Sequence, residues 1–515
     1  MFFRIYKLPN KIFIKGCLAM SSISWFFITT HFVLLGILCL FGLHRLSMVF
    51  RWFKYRHYQP TQPKAFSTLP KVTVQIPLYN ERLVAKRIVD SIVKLEYPQD
   101  KLQIQIVDDS TDETCELIAE RVKHYQQQGI NIQHVQRIHR YGFKAGALKD
   151  AMETATGEFI AIFDADFIPH PDTLLKTIHH FTQEDMAMVQ FRWEHLNRRS
   201  SLLTKLQAIM LDAHFGLEQR VRCASGMLFN FNGTAGIWRT EAIIDAGHWS
   251  ADTLTEDLDL SYRAQLEGWK MRYLNDVTCP GELPADMNAF KSQQFRWAKG
   301  GVEVMMKMLP TVWKAKIPFT KKLESTFHLS NNLAYFVMLV DTLIFLVPSL
   351  YLRDQHDFVN VWWLDIPLLA MSSGGHLAYL FFGQVVLGRS KSRAFLKLPS
   401  LMVLGILLAI NNSKAGLEGL FGMRSEFVRT PKTGELGNEV DSSQVKVKAE
   451  KKQYRAIAPK GALFELAIAL VYSTVFLWAV GQGHWFMLPF LLLLAVGFVL
   501  SALHSFYSHI QLSKQ

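Results

Sequence analysis

The sequence predicts an α/β domain held between membrane helices, and three observations carry that prediction. Uncharged runs are long: from Gly16 to His44 there is no Lys, Arg, Asp or Glu, which exceeds the roughly 20 residues a helix needs to cross a bilayer. Between about residues 65 and 320, short β-branched runs alternate with amphipathic ones, the pattern of strands and helices wound into one sheet. Two acid pairs, Asp108/Asp109 and Asp164/Asp166, stand directly after two of the predicted strands.

The elements follow in order. Residues 1–60 form an N-terminal anchor with its helix at about 20–48. Its apolar stretch is longer than the roughly 7–15 residues of a cleaved signal, so it is expected to stay attached. In the polar domain, 65–320, strands are expected at KVTVQIPL (71–78), IQIV (104–107) and FIAIF (159–163). Helices are expected at 81–95, 111–125 and 145–155. Such alternation argues for a parallel sheet with helices on both faces, and ligands then bind beyond the carboxyl ends of the strands. From 321 to 515 the chain returns to the membrane through Ser325–Leu352, Phe358–Gly388, Leu463–Val480 and Trp485–Tyr507. The shorter apolar segment 398–422 is expected at the interface, and 424–460 is expected to be polar and cytoplasmic.

Charge and cysteine usage exclude several classes. The net charge of +12 comes largely from clusters beside membrane segments, such as Arg51, Lys54 and Arg56, or Arg389, Lys391 and Arg393. Cytoplasmic flanks have this composition. No nucleic-acid motif accompanies it, so nucleic acid is not an expected partner, whereas membrane lipids are. Five scattered cysteines without a CxxC pair imply neither a zinc site nor a disulfide framework. A multi-pass protein of the cell inner membrane with its polar domain in the cytoplasm is the expectation.

The acids suggest chemistry on phosphates. Turns favour Asp, so one DxD is weak; two acid clusters ending two strands of one sheet are a stronger signal. Hard divalent cations, Mg²⁺ or Mn²⁺, take carboxylate oxygens and bridge them to substrate phosphates. Lys144 opens a predicted helix after a glycine-bearing loop, a suitable place to hold phosphate. In TLTEDLDLSYR, Thr255 suits an N-cap, with Glu256 and Asp257 in the first turn. Such acids complement a helix dipole, and beside the metal-type acids they become candidates for a general base. In QQFRW, Gln293, Arg296 and Trp297 stand at i, i+3 and i+4 and share one helical face, which sets an amide, a guanidinium and an indole side by side.

Seven stretches in this order resemble the inverting family 2 glycosyltransferases, and among them the cellulose-synthase-like and mannan-synthase-like membrane polysaccharide synthases. They are IPLYNE (76–81), VDDSTDET (107–114), HRYGFKAGAL (139–148), FDADF (163–167), FNGTAGIWR (231–239), TEDLDLSYR (255–263) and QQFRW (293–297). The resemblance implies a GT-A, Rossmann-like fold and a nucleotide-sugar donor, UDP-glucose or GDP-mannose. Asp108 or, preferably, Asp109 would contact the nucleoside. Lys144, Asp164 and Arg296 would hold diphosphate, and Asp164 and Asp166 the metal. Asp257, with Glu256 beside it, would be the base. Gly233, Thr234, Gln293, Gln294 and Trp297 would border the acceptor. QFRWEHLN (190–197) looks like a segment of mannan- and xyloglucan-backbone synthases. SEFVRTPKTG (425–434) resembles their gating loop, with Arg429 where a hydrophobic residue usually precedes the Thr.

The expected acceptor is a growing β-linked polysaccharide threaded through the membrane helices. The alternative is a membrane lipid given one sugar, as in ceramide glucosyltransferases. A transporter or scaffold would explain the intramembrane Asp341 and Asp365 but has no need for three acid clusters.

Overall fold

The computed structural model describes residues 21–58, 63–355, 362–423, 432, 434 and 459–513. Helix α1 (Ser22–Tyr55) enters first, its N-cap Ser21 accepting from the Ser24 N–H. It runs past the expected end near residue 48 because Met48 and Val49 pack into a core shared with the domain, and Arg51 pairs with Glu324 at 3.1 Å.

Seven strands then form one sheet in the order β3-β2-β1-β4-β6-β5-β7. They are β1 (Val72–Leu78), β2 (Leu102–Asp108), β3 (Ile132–Gln136), β4 (Phe159–Ile162), β5 (Met186–His195), β6 (Gly236–Arg239) and β7 (Lys270–Gly281). Helices α2 (Ala85–Ile92), α3 (Thr114–Gln127) and α4 (Phe143–Ala151) link the first four strands. β1, β2, β3 and β4 pair in parallel, as the alternation predicts. The sheet is nevertheless mixed, because β6 runs antiparallel to both β4 and β5. After β5 the chain leaves as α5 (Leu202–Asp212), continuing through a wide turn (Ala213–Gln219) to Ala224. That excursion packs on membrane helices, so β6 returns from the opposite end of the sheet. Four residues are too few for β6 to show a period.

The two faces of the sheet carry separate apolar cores. Val72, Val74, Ile76 and Phe163 belong to one, and Ile160, Ile162, Met188 and Trp238 to the other; burying each such side chain contributes about 1.5–3 kcal/mol. The alternating polar residues of β1 and β2 do not face water. Thr73 donates to Gln103 at 2.7 Å and Gln75 to Gln105 at 3.0 Å, all four being buried, so hydrogen bonding between strands offsets their desolvation.

Helix α6 (Glu256–Leu266) precedes β7, and α7 (Met287–Lys314) leaves the sheet with Asp286 capping its first turn. Then come α8 (Phe319–Ser330), α9 (Leu333–Val340, prolonged to Gln355), α10 (Trp362–Val386), α11 (Leu398–Leu420), α12 (Pro459–Gly481) and α13 (Leu488–Ser513). Among the described residues, six helices are long and apolar enough to cross a membrane, and Lys391–Leu420 is one of them. The expected gating-like segment 424–460 falls outside the described residues except for Lys432, Gly434 and the start of α12.

A buried ionic knot joins domain and membrane helices. Glu218 accepts from Arg45 of α1 at 2.7 Å, from Arg222 at 3.0 Å and from Tyr379 of α10 at 2.8 Å. Arg222 also meets Glu324 of α8 at 3.0 Å, which takes His44 of α1 at 2.8 Å.

Candidate functional site

The carboxyl ends of β1, β2 and β4 and the starts of α4 and α6 converge on one cleft of about 220 Å³. Asp109, just beyond β2, lies in it with both oxygens gripped by Arg137 at 2.8 and 2.5 Å. Beside it the Arg140 guanidinium stacks 3.4 Å from the Tyr79 ring centroid.

Lys144, in the first turn of α4, donates to Asp164 Oδ1 at 2.5 Å and to the Gly233 carbonyl at 2.9 Å. Burial opposes its charge, but Asp164 and Glu256 outweigh burial and hold the ammonium above its ordinary pKa. Burial raises the Asp164 carboxyl; Lys144 works against this and the neighbouring Asp166 adds to it. The Asp164 N–H donates to Thr234 Oγ1 at 2.8 Å, which fixes the turn that presents both acids. Asp166 accepts from Lys432 at 2.5 Å. Two residues on, the Gly434 N–H meets Glu282 at 3.1 Å, and Arg87 joins Glu282 to the Gly434 carbonyl.

Asp257 enters from the first turn of α6, accepting from the Leu258 N–H at 2.8 Å. Burial, then the nearby Glu256, push its carboxyl up to about 7 in spite of Leu258 and Lys144. Burial raises Glu256 as well, against the pull of Lys144. Gly233 has φ +78°, and a Cβ there would stand 3.1 Å from Asp257 Oδ2 and 3.5 Å from Lys144 Nζ. Both the left-handed backbone and the close approach require glycine. Arg296 reaches the cleft from α7 beside Gln293 and Trp297; burial lowers its guanidinium to about 10, while Glu256 and Asp164 pull the other way.

α6 and α7 are pressed together at the end of the same motif. Thr255 occupies the N-cap position of α6 without the expected side-chain bond. A Cβ on Gly300 would lie 2.6 Å from Thr255 Cγ2, so contact with α7 replaces capping.

Of the residues named from sequence, Asp109, Lys144, Asp164, Asp166, Gly233, Glu256, Asp257, Gln293, Arg296 and Trp297 line this cleft. Three do not. Asp108 ends β2, and strand alternation turns it away from the cleft; it is buried against His134 at 2.8 Å and the Ser110 N–H at 2.9 Å. Thr234 is fully buried and supports Asp164 instead of bordering an acceptor. Gln294 follows Gln293 by one position, about 100° round the helix, and lies outside the cleft. The cleft also contains Tyr79, Arg140, Trp193, His195, Glu282 and Lys432, which residue-type reasoning did not single out. Tyr79, Trp193 and His195 sit within the quoted IPLYNE and QFRWEHLN stretches, and Lys432 within SEFVRTPKTG.

Asp164 and Asp166 suit a hard cation. Among the described residues, each is engaged by a lysine through one oxygen, Asp164 through Oδ1 and Asp166 through Oδ2, and the second oxygen of each suits an ion. Among the described residues no cluster of three or more His, Cys, Asp or Glu side chains is arranged to hold a metal. Phosphate oxygens would have to complete the coordination, as is usual for Mg²⁺.

Residues 70–300 match the family model described as glycosyltransferase like family 2. The chain is 36% identical over 394 residues to the "Probable glucomannan 4-beta-mannosyltransferase 7" of Oryza sativa subsp. japonica, a match covering 75% of this chain. It spans 65% of that relative's length. Its fold is similar to that of the mannosyltransferase PcManGT from Pyrobaculum calidifontis, solved with GDP-Man and Mn²⁺. The TM-score is 0.50 at 20% identity, over 77% of this chain and 100% of the other.

Proposed function

Residues 70–300 are a family 2 glycosyltransferase domain, and from that premise we propose that the protein transfers a hexose, with inversion, from a nucleotide-sugar to the end of a β-linked polysaccharide. The 36% identity to a plant mannosyltransferase favours GDP-mannose over UDP-glucose as donor. The observation that carries the reading is the convergence of Lys144, Asp164, Asp166, Asp257 and Arg296 on one cleft.

The roles follow from chemistry. Lys144 and Arg296 pair with the diphosphate, Arg296 through a planar fork of donors. Asp164 and Asp166 would hold Mg²⁺ or Mn²⁺, which supplies Lewis-acid help to the departing diphosphate. Asp257 accepts the proton of the attacking acceptor hydroxyl; a carboxyl raised to about 7 is well matched to that task at neutral pH. The hydroxyl oxygen forms the new bond at the anomeric carbon as the bond to diphosphate breaks, so an α-linked donor gives a β product. Trp297 offers an indole face for the acceptor sugar.

The membrane half supports export of the product. A cavity of about 280 Å³ lies among α1, α9, α10, α11 and α13. Its wall is largely aliphatic but includes the pairs His31–Asp341 at 2.8 Å and Arg353–Asp365 at 3.0 Å. Contacts at both ends of α11 support an interfacial course for it despite its length. Arg389 meets Glu194 at 3.4 Å before it, and Glu418 near its end meets Lys299 at 3.5 Å. Lys432 beyond it lies in the cleft. With basic flanks beside the domain, this fits a multi-pass inner-membrane protein whose catalytic side is cytoplasmic.

The test is to give membranes containing the protein labelled GDP-mannose and UDP-glucose separately. A long product from one donor is expected; a labelled lipid carrying one sugar would favour the glycolipid alternative.

A further inference from the structure

His195, the last residue of β5, lines the cleft and has no part in the chemistry above. Its side chain is only 2% exposed, and Nε2 lies 3.5 Å from Asp212 Oδ1 at the end of α5. The other oxygen of Asp212 takes Arg198 at 2.5 Å and the Gln384 amide at 3.0 Å. Arg198 also reaches Gln384 Oε1 at 3.0 Å. Burial opposes the Asp212 charge, but His195 and Arg198 outweigh it and hold the carboxyl well below the usual range. Asp212 is the carboxylate that faces Nε2, and an imidazole with its proton on that nitrogen has Nδ1 as a lone-pair acceptor.

The surroundings of His195 tie it to the loop at Gly233, where a Cβ would stand 3.1 Å from Oδ2 of Asp257, the proposed base. The His195 strand and the wide turn that follows Asp212 both bond the loop at Gly233. The Gln190 side chain accepts from the Asn232 N–H at 2.9 Å, the Trp193 indole donates to the Thr234 carbonyl at 3.4 Å, and His214 meets Asn232 Oδ1 at 2.9 Å. By strand alternation Trp193 and His195 face the same way, giving an indole and a ring nitrogen on one wall. Gln384 belongs to membrane helix α10, whose Gly383 comes so close to the turn after α5 that a Cβ would lie 2.5 Å from Ala213 Cα. The wall is therefore braced by a membrane helix.

We propose that His195 is an acceptor-binding residue, its Nδ1 accepting a hydrogen bond from a hydroxyl of the acceptor sugar. Asp212, Arg198 and Gln384 are positioning residues that hold its tautomer and orientation. No bond is made or broken at His195; it fixes which hydroxyl of the chain end is turned toward Asp257. This rests on the hexosyltransferase reading of the cleft.

The probe is β-1,4-linked mannotetraose with full-length protein in detergent. Its binding is measured by calorimetry, and its KM and that of GDP-mannose by initial rates. His195→Ala should weaken tetraose binding and raise its KM by about tenfold, the scale of a hydrogen bond, with the GDP-mannose KM within about twofold. His195→Gln, whose amide oxygen can accept the same bond, should recover part of the loss. Asp212→Asn should weaken tetraose binding like His195→Ala. Unchanged tetraose binding in His195→Ala, or an equal rise in both KM values, would overturn the proposal. Wild-type protein that binds the tetraose but transfers from neither GDP-mannose nor UDP-glucose would contradict the transferase reading. In that case the calorimetry of His195→Ala would still decide this one.

Discussion

Lys432 Nζ stands 2.5 Å from Asp166 Oδ2, across 266 residues of sequence. A cation tethered to the chain thus sits on one of the two acids proposed for the metal. Burial disfavours the charge on Lys432, but Asp166, Glu81 and Glu282 outweigh it and hold it above the ordinary lysine range. Lysine and metal should compete. Lys432→Met is expected to lower the Mn²⁺ concentration for half-maximal transfer by at least about tenfold, since a charge-assisted bond contributes roughly 1.5–3 kcal/mol and each 1.4 kcal/mol is about tenfold. Chelation should stop wild-type transfer and added Mn²⁺ restore it. A metal titration unmoved by the substitution would show that the contact does not oppose binding.

Asp257 must be ionised to accept a proton. Its raised carboxyl predicts that kcat/KM falls as the pH drops below about 7. The second-largest cause of that shift is the neighbouring Glu256, so Glu256→Gln should move the acid limb to lower pH. Asp257→Asn should reduce transfer by at least about 10²-fold while leaving donor affinity largely intact; retained turnover would remove Asp257 from the role of base.

Helices α1 and α10 cross backbone to backbone. A Cβ on Gly42 would lie 2.0 Å from the Met371 carbonyl oxygen, and one on Gly375 would lie 2.1 Å from the Gly42 carbonyl oxygen. Gly42→Ala must push the helices apart, at a cost of about 1–3 kcal/mol by analogy with overpacked cores. A lower melting temperature in detergent is expected, and an unchanged one would contradict this crossing.

Arg222 is 1% exposed and bridges Glu218 and Glu324. Arg222→Met leaves two buried carboxylates short of a partner, a loss of about 3–5 kcal/mol for a broken buried pair. Adding Glu324→Gln to that variant should recover part of the stability in a thermal melt.

Much of the α/β domain was legible because its side chains sit on regular elements. The β-branched runs mark β1, β2 and β4, and acids at strand ends point to the cleft by geometry alone. Helical spacing correctly put Gln293, Arg296 and Trp297 on one face. What failed did so where orientation or tertiary pairing decides. Asp108 and Asp109 are neighbours, and the exact strand end determines which one faces the cleft. Thr234 looks like a loop residue until its hydroxyl is found under Asp164. β6 is too short to show a period, and its direction depends on where α5 goes. Lys432 and His195 reach the cleft from distant segments, and only the fold brings them there.

The most direct test of inverting transfer is the anomeric configuration of the newly formed linkage, read by NMR on product made from the α-linked donor GDP-mannose. A β linkage is expected from attack by an acceptor hydroxyl deprotonated at Asp257. An α linkage would contradict it.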